Sequence, residues 1–328
     1  MHDLSAALRA LAPRLVPGAR TVDGLVRLSG GASQETWAFQ SGGVDLILRR
    51  APSGGQRSGE AIGMAAEAAL IAAAGAAGAP VPRVVHVCAP EDGLGEAFVM
   101  ARVAGETIAR KILRDAAFAH ARTVLAEQCG RALASIHAVP ADRIPAALAT
   151  SDGLDQLARY EAICHGMGAE RPVMELAFQW LRATAPAPRP PTLVHGDFRN
   201  GNLMVDETGL AAVLDWELAH VGDPREDLGW ICVNSWRFGV REKRVGGFGD
   251  LDALLSGYAA GGATPPSPAD VRWFEALGTL KWGVMCLIMH QAFASGADPS
   301  VERAMIGRRA SETEIDLIAI LEAAAKDA

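Results

Sequence analysis

The octapeptide HisGlyAspPheArgAsnGlyAsn occupies residues 195–202, and LeuAspTrpGlu follows at 214–217. The pattern is His-x-Asp, then an Asn five residues after that Asp, then a second Asp beyond a short hairpin. AspGluThrGly (206–209) supplies the hairpin turn, between the strand-like pieces LeuMetVal (203–205) and LeuAlaAlaValLeu (210–214). This arrangement suits phosphoryl transfer. One carboxylate must orient the attacking hydroxyl and accept its proton, while oxygen ligands hold Mg²⁺ against nucleotide phosphates. A loop carrying Asp197 and Asn202 can present one side chain to the acceptor and the other to the metal. Asp215, arriving on the next strand, adds a charged ligand. Mg²⁺ keeps several of its waters, so one Asp, one Asn and the phosphates suffice. The reading is therefore Asp197 as catalytic base, with Asn202 and Asp215 as Mg²⁺ ligands. HisGlyAsp alone could be an ordinary loop, since Asp and Asn favour turns. The conjunction of all three residues in register carries the weight.

Outward from this segment, the chain divides into two kinds of pattern. Residues 21–103 read as an antiparallel sheet of about five strands interrupted by one helix. The strands are an apolar run from Leu25, ThrTrpAlaPhe (36–39), ValAspLeuIleLeuArg (44–49), ArgValValHisVal (83–87) and PheValMetAlaArgVal (98–103). An Ala-rich helix runs from Glu60 to Ala74, after a Gly-rich stretch (54–59) that reads as a mobile loop. A short amphipathic helix with Leu4, Leu8, Leu11 and Leu15 precedes them and stops near Pro13 and Pro17. Beyond Gly105 the chain is mainly helical: Ala116–His137, Leu154–Cys164, Val173–Ala183, and most of the chain from Asp223 onward. The expectation is an α+β, two-lobed protein, with a sheet lobe over residues 1–104 and a helical lobe over 105–328.

Composition narrows the function. The chain has 328 residues, half of them apolar, which is ample for two packed lobes. A net charge of −7 argues against a nucleic-acid partner. Five scattered cysteines without a CxxC pair speak against a zinc site or a disulfide framework, and for free thiols. No leader pattern or membrane-length apolar run is present, so the expected location is the cytoplasm.

Residues 195–217 resemble the catalytic segment of the aminoglycoside phosphotransferase and choline kinase-like family, relatives of the protein kinases. HisGlyAspPheArg with AspTrpGlu and GlyAspProArgGluAspLeuGlyTrp (222–230) is similar to the branch of kinase-like domains sometimes fused to acyl-CoA dehydrogenases. The resemblance extends over roughly residues 20–310. It implies a two-lobed protein-kinase-like fold and an ATP- and Mg²⁺-dependent transfer to a small-molecule hydroxyl. It also implies that His195 braces the loop backbone, that Asp227 braces the catalytic loop, and that Arg199 either touches the transferred phosphoryl group or pairs with a nearby acid.

The resemblance further implies four features in the sheet lobe. A Gly loop with Gly30, Gly31 and Ser33 would present backbone N–H groups and a hydroxyl to phosphate oxygens. Arg49 would stand where the family usually has Lys, with Ile47 on the same strand face. Arg is bulkier and forked, so this departure alters the phosphate contact. Glu67 would hold that cation, with Glu60 as rival. Met100 would back the adenine pocket, with the Ala101 carbonyl and Val103 N–H pairing with the base edge. Trp282, Met285, Met289 and Phe293, at helical spacing, read mainly as core, and with Trp236 and Trp273 mark the region for an acceptor site. The other reading open to the sequence is a nucleotide-binding pseudokinase without turnover, motivated by Arg49. A protein kinase is disfavoured by AspTrpGlu and the lack of a long activation segment. A sugar, a choline-like alcohol and a hydroxyacyl compound are all open as acceptors.

Overall fold

The computed structural model describes residues 2–28, 34–52, 62–168 and 170–327. The first element is a helix, α1 (His2–Leu15). Pro13 lies inside its last turn rather than ending it. Five strands follow, β1 (Asp23–Arg27), β2 (Glu35–Ser41), β3 (Val44–Arg50), β4 (Val84–Val87) and β5 (Ala97–Ala101), with α2 (Met64–Ala76) between β3 and β4. They form one antiparallel sheet in the order β1-β2-β3-β5-β4. Period-two alternation decides its two faces. Trp37, Phe39, Leu46, Leu48, Ala97 and Val99 pack against the leucines of α1. Ala38, Ile47, Phe98 and Met100 point the other way, onto Met64, Ala68 and Ile71 of α2.

The second half comprises α3 (Ala109–Arg114), α4 (Ala119–His137), α5 (Gly153–Gly166) and α6 (Pro172–Ala183). These precede the strand pieces β6 (Thr192–Val194), β7 (Leu203–Asp206), β8 (Gly209–Val213) and β9 (His220–Gly222). The chain then closes with α7 (Arg225–Trp230), α8 (Leu251–Ala260), α9 (Pro268–Ala294), α10 (Val301–Gly307) and α11 (Ala310–Asp327). This is the two-lobed kinase-like architecture, with helices dominating the second lobe. The β7–β8 hairpin turns at Asp206, whose Oδ1 accepts from Thr208 N at 2.7 Å and Gly209 N at 3.1 Å. β9 was not expected. It pairs antiparallel with β6, and so ties the chain after AspTrpGlu back to the strand that enters the catalytic loop.

The first core runs without a break from Ile47 and Phe98 through Leu125 and Leu133 of α4 to Phe198, Trp216 and Leu254. A second core fills the space between α5, α6, α9 and α11. Helices α4 and α8 approach so closely that a Cβ on Gly130 would lie 2.1 Å from the Leu254 carbonyl oxygen. The two halves are also joined by backbone: Glu106 N donates to Val205 O at 2.8 Å, and Val205 N returns to Glu106 O at 3.0 Å. Gly105 has φ +144° there, beside Val205. All five cysteines are free. Among the described residues, no helix is long and apolar enough to cross a membrane.

Candidate active site

The loop between β6 and β7 is fixed from behind by one buried carboxylate. Asp227, on the first turn of α7, accepts from His195 N at 2.8 Å, from Gly196 N at 3.0 Å and from His137 Nε2 at 3.0 Å. His137 in turn meets the Tyr258 hydroxyl at 2.9 Å, so α4 and α8 share in holding the loop. Gly196 has φ +80°, and a Cβ there would sit 2.3 Å from the Leu218 carbonyl oxygen, so only glycine fits. His195 is fully buried, and burial lowers its pKa and favours the neutral ring. Its Nδ1 accepts from Asp197 N at 3.2 Å. The proton therefore rides on Nε2, which donates to Leu214 O at 3.1 Å. That bond places the residue before Asp215.

Three donors hold the Asp197 carboxylate. Trp230 Nε1 reaches Oδ1 at 2.8 Å, Asn202 Nδ2 reaches Oδ2 at 2.6 Å, and Arg199 Nε lies 3.0 and 3.1 Å from the two oxygens. The Arg199 guanidinium also lies 4.7 Å from the Trp236 ring centroid. Of the two readings of Arg199, the acid pairing is the one seen, and its partner is Asp197 itself. With Nδ2 turned to Asp197, Asn202 keeps its amide oxygen as the acceptor for a cation.

Asp215 takes φ +67°, a left-handed conformation that Asp tolerates better than most residues. Its Oδ1 lies 2.9 Å from Arg49 Nη2. Arg49 also donates through Nε to Gln34 Oε1 at 2.9 Å and lies 3.3 Å from Glu67 Oε1. Gln34 completes the network, donating to Glu67 and Glu217 at 3.1 Å each. Glu67, not exposed at all, has its pKa raised: burial outweighs the attraction of Arg49, and the Asp215 charge adds to the rise. Gln34 was not singled out from the sequence, since a lone Gln after a Gly loop carries no signal.

Ile47, Arg49, Met100, Ala101 and Val103 line one cavity of about 580 Å³ between the lobes, and Asn202 and Asp215 line its far end. Ala101 N donates to Arg83 O at 2.9 Å, after which the chain leaves the sheet along the cavity wall. Oxygen donors from Asn202 and Asp215 on one wall suit a hard divalent cation such as Mg²⁺. Gly30, Gly31 and Ser33 lie outside the described residues, as does Glu60. Of the acceptor-region aromatics, the Trp236 and Trp282 rings meet at a tilt with centroids 5.0 Å apart, and Trp236 meets Trp230 likewise at 5.3 Å, beside Arg199. Met289 is only partly buried and Phe293 is exposed, so the stripe leaves the core toward the end of α9.

A second cavity of about 340 Å³ lies beside β9, α5 and α9. Lys281 of α9, His220 of β9 and Arg159 of α5 line it, with Ile62, Leu148 and Leu218. Lys281 had no sequence signal: it is a single charged residue in an otherwise apolar stretch of α9.

Known proteins resemble this chain in sequence and in fold. The chain is 28% identical over 223 residues to acyl-CoA dehydrogenase family member 10 of Mus musculus, covering 64% of this chain and 20% of the relative. It is 27% identical to acyl-CoA dehydrogenase family member 11 of Rattus norvegicus, covering 92% of this chain and 40% of the relative. The chain thus spans between a fifth and two fifths of these relatives' length. Among solved structures, a candidate aminoglycoside phosphotransferase from Ralstonia eutropha superposes with a TM-score of 0.74 at 20% identity, covering 97% of this chain and 98% of that one. A choline/ethanolamine kinase family protein from Mesorhizobium loti gives 0.66 at 21% identity, covering 98% and 95%. The model of the phosphotransferase enzyme family matches residues 24–267, well over half of the chain, and the chain belongs to that family.

Proposed function

We propose that the chain is an ATP- and Mg²⁺-dependent kinase that moves the γ-phosphoryl group to a hydroxyl of a small molecule. One observation supports this reading: Asn202 and Asp215 line the interlobe cavity with Arg49, and Asn202 is hydrogen-bonded to Asp197 at 2.6 Å. In this reading the adenine lies against Met100, Ala101 and Val103, with Ile47 beside it. Arg49, held by Glu67, meets the phosphates. Mg²⁺, on Asn202 and Asp215, would neutralise the charge on the phosphate oxygens. Asp197 orients the acceptor hydroxyl and takes its proton as the oxygen attacks phosphorus in line. Arg199 moves from Asp197 toward the transferring group, where a cation stabilises developing charge. A structural neighbour, aminoglycoside phosphotransferase APH(4)-Ia, was solved in a ternary complex with AMP-PNP and hygromycin B, which supports a nucleotide and an acceptor bound together on this fold.

Isothermal titration with ATP, with and without Mg²⁺, tests the reading, with Asp215→Asn as control. Binding that needs Mg²⁺ and weakens in the variant is expected. No binding under any condition would remove the nucleotide site. Binding with no turnover across a broad acceptor panel would favour the pseudokinase.

A further inference from the structure

We propose that His86, Cys88 and Asp92 form a site for a borderline-soft divalent cation of the Zn²⁺ class. The proposal stands apart from the kinase reading, since none of the three lines the interlobe cavity. One ring nitrogen of His86, Cys88 Sγ and one carboxylate oxygen of Asp92 lie within 4.8 Å of one another. Among the described residues, no other His, Cys, Asp and Glu side chains bring three ligand atoms so close together. The chain makes this meeting locally. β4 ends at Val87, between His86 and Cys88, and Cys88 N still donates to Ala97 O of β5 at 2.9 Å. A single 3₁₀ turn over Pro90–Asp92 then reverses the chain. Asp92 N donates to Ala89 O at 3.0 Å and Ala89 N donates to Asp92 Oδ2 at 2.9 Å, so the carboxylate is folded back toward the strand end. All three residues are partly buried, and the Asp92 side chain is only 3% exposed.

The donor set selects the metal. An imidazole nitrogen, a thiolate and a carboxylate oxygen together suit Zn²⁺, whereas Mg²⁺ and Ca²⁺ want oxygen throughout. With bonds of about 2.0–2.3 Å, tetrahedral zinc holds neighbouring ligand atoms about 3.3–3.5 Å apart. His86 Nε2 and Asp92 Oδ2 are already 2.9 Å apart. The trio closes on an ion through side-chain shifts of about 1 Å. On binding, the ion takes the place of the hydrogen between those two atoms. The imidazole then carries its proton on Nδ1, the Cys88 thiol releases its proton to solvent, and water fills the fourth position. Thiolate and carboxylate together balance the charge of the ion. The outer support that metal ligands need is present as well: Arg14, in the last turn of α1, meets Asp92 Oδ1 at 2.5 Å, while Ala89 N holds the other oxygen. Cys88 packs with the α1 leucines, on the sheet face opposite α2. An ion here ties the end of β4 to the end of α1. Counting cysteines does not find such a site, because only one of its ligands is a thiol.

The test is titration of the full chain, freed of metal by dialysis against a chelator, first with Co²⁺ as a spectroscopic stand-in and then with Zn²⁺. The expected result is the visible spectrum of tetrahedral Co²⁺ together with a near-ultraviolet band for charge transfer from thiolate to Co²⁺. Zn²⁺ should displace the Co²⁺ and raise the melting temperature. The band reports on Cys88, because the other four cysteines are buried. Cys88→Ser should abolish it, and His86→Gln should weaken Zn²⁺ binding by at least about tenfold. Thermal melting of the metal-free variants checks that each is folded, and two near-isosteric changes at separate ligands keep the test open if one of them is not. Absence of the thiolate band, a band that survives Cys88→Ser, or Zn²⁺ affinity unchanged in the folded variants would overturn the proposal. The last result would put the ion on other ligands, such as Asn202 and Asp215.

Discussion

The interlobe cavity and the second cavity each have a buried glutamate behind them, and the two glutamates titrate in opposite directions. Glu67, behind the interlobe cavity, is pushed up: burial dominates, and its one cation, Arg49, also faces Asp215 and Glu217. Glu226, behind the second cavity, is held down at about 2. Burial pushes it up there too, but His220 and Lys281 together outweigh the desolvation, with hydrogen bonds from His220 and Gln156 adding to them. Equal burial thus gives opposite outcomes because the ratio of acids to bases is inverted. Each side of the comparison can be broken separately.

The largest effect belongs to Asp197. Asp197→Asn should lower turnover by about 10²–10⁴-fold, the usual contribution of a general base, while Mg·ATP still binds. A coupled assay of ADP release with any accepted alcohol measures it. Turnover within about twofold of the parent would show that the base lies elsewhere. Next is the brace common to both cavities. Asp227→Ala leaves the His195 and Gly196 N–H groups and His137 without their buried acceptor. It should cost about 3 kcal/mol of stability or more, read as a shift of the urea midpoint, with Asp227→Asn milder because one acceptor oxygen remains.

Acid separates the two glutamates. A carboxylate held at about 2, against an ordinary value of 4.5, contributes stability that is complete above pH 4.5 and is lost as pH falls toward 2. Glu226→Gln should therefore be less stable than the parent at pH 6, with the gap closing across that acid window. His220 has the opposite sign. Burial pulls its pKa down, but the Glu226 charge and hydrogen bond raise it overall. Its share is present below its ordinary value of 6.5 and lost as pH rises through the higher folded value. A gap that stays constant from pH 6 to pH 2 would show that Glu226 is not the ionised centre of the second cavity.

The first cavity was legible in the sequence and the second was not, for a physical reason. Asp197, Asn202 and Asp215 sit within one loop and hairpin, so spacing along the chain fixes their spacing in space. Ile47, Arg49 and Met100 follow from strand alternation, since β3 and β5 pair with Ile47 opposite Met100. Lys281 and Glu226 are 55 positions apart and meet only through the packing of α7 against α9. No local period announces a lysine turned inward from an apolar helix. β9 was missed because three residues carry too little pattern, and its pairing with β6 is set by the fold around it. α1 ends at Leu15, between Pro13 and Pro17, and Leu11 and Leu15 bury against the sheet.

Trp230 contacts residues of both regions, through its N–H to Asp197 at 2.8 Å and its ring 5.2 Å from Lys281 Nζ, so it sharpens the comparison. Trp230→Phe keeps an aromatic face toward Lys281 but removes the N–H held by Asp197. If Trp230 is a positioning residue, kcat should fall about tenfold while the dissociation constant for Mg·ATP stays within about twofold. A fall in stability with no change in kcat would reduce Trp230 to packing.

The smallest effect tests why the cation of the first cavity is an arginine. Its fork meets Gln34, Glu67 and Asp215 at once, through Nε and Nη2. A lysine is a point charge on a flexible stem, and from the same Cα it cannot span all three. Arg49→Lys keeps the charge, so Glu67 is not stranded and the lobe should fold. What it loses is the geometric link between α2 and Asp215. Mg·ATP binding should weaken by only about threefold, since charge supplies most of the attraction and preorganisation the remainder. The Mg²⁺ concentration giving half-maximal binding should rise in parallel, because Asp215 is less firmly placed. A loss as large as that of Arg49→Met would mean that the fork itself contacts the phosphates. No loss would mean that Asp215 is placed by its own left-handed backbone and by the His195 to Leu214 bond, and that the arginine serves only as charge.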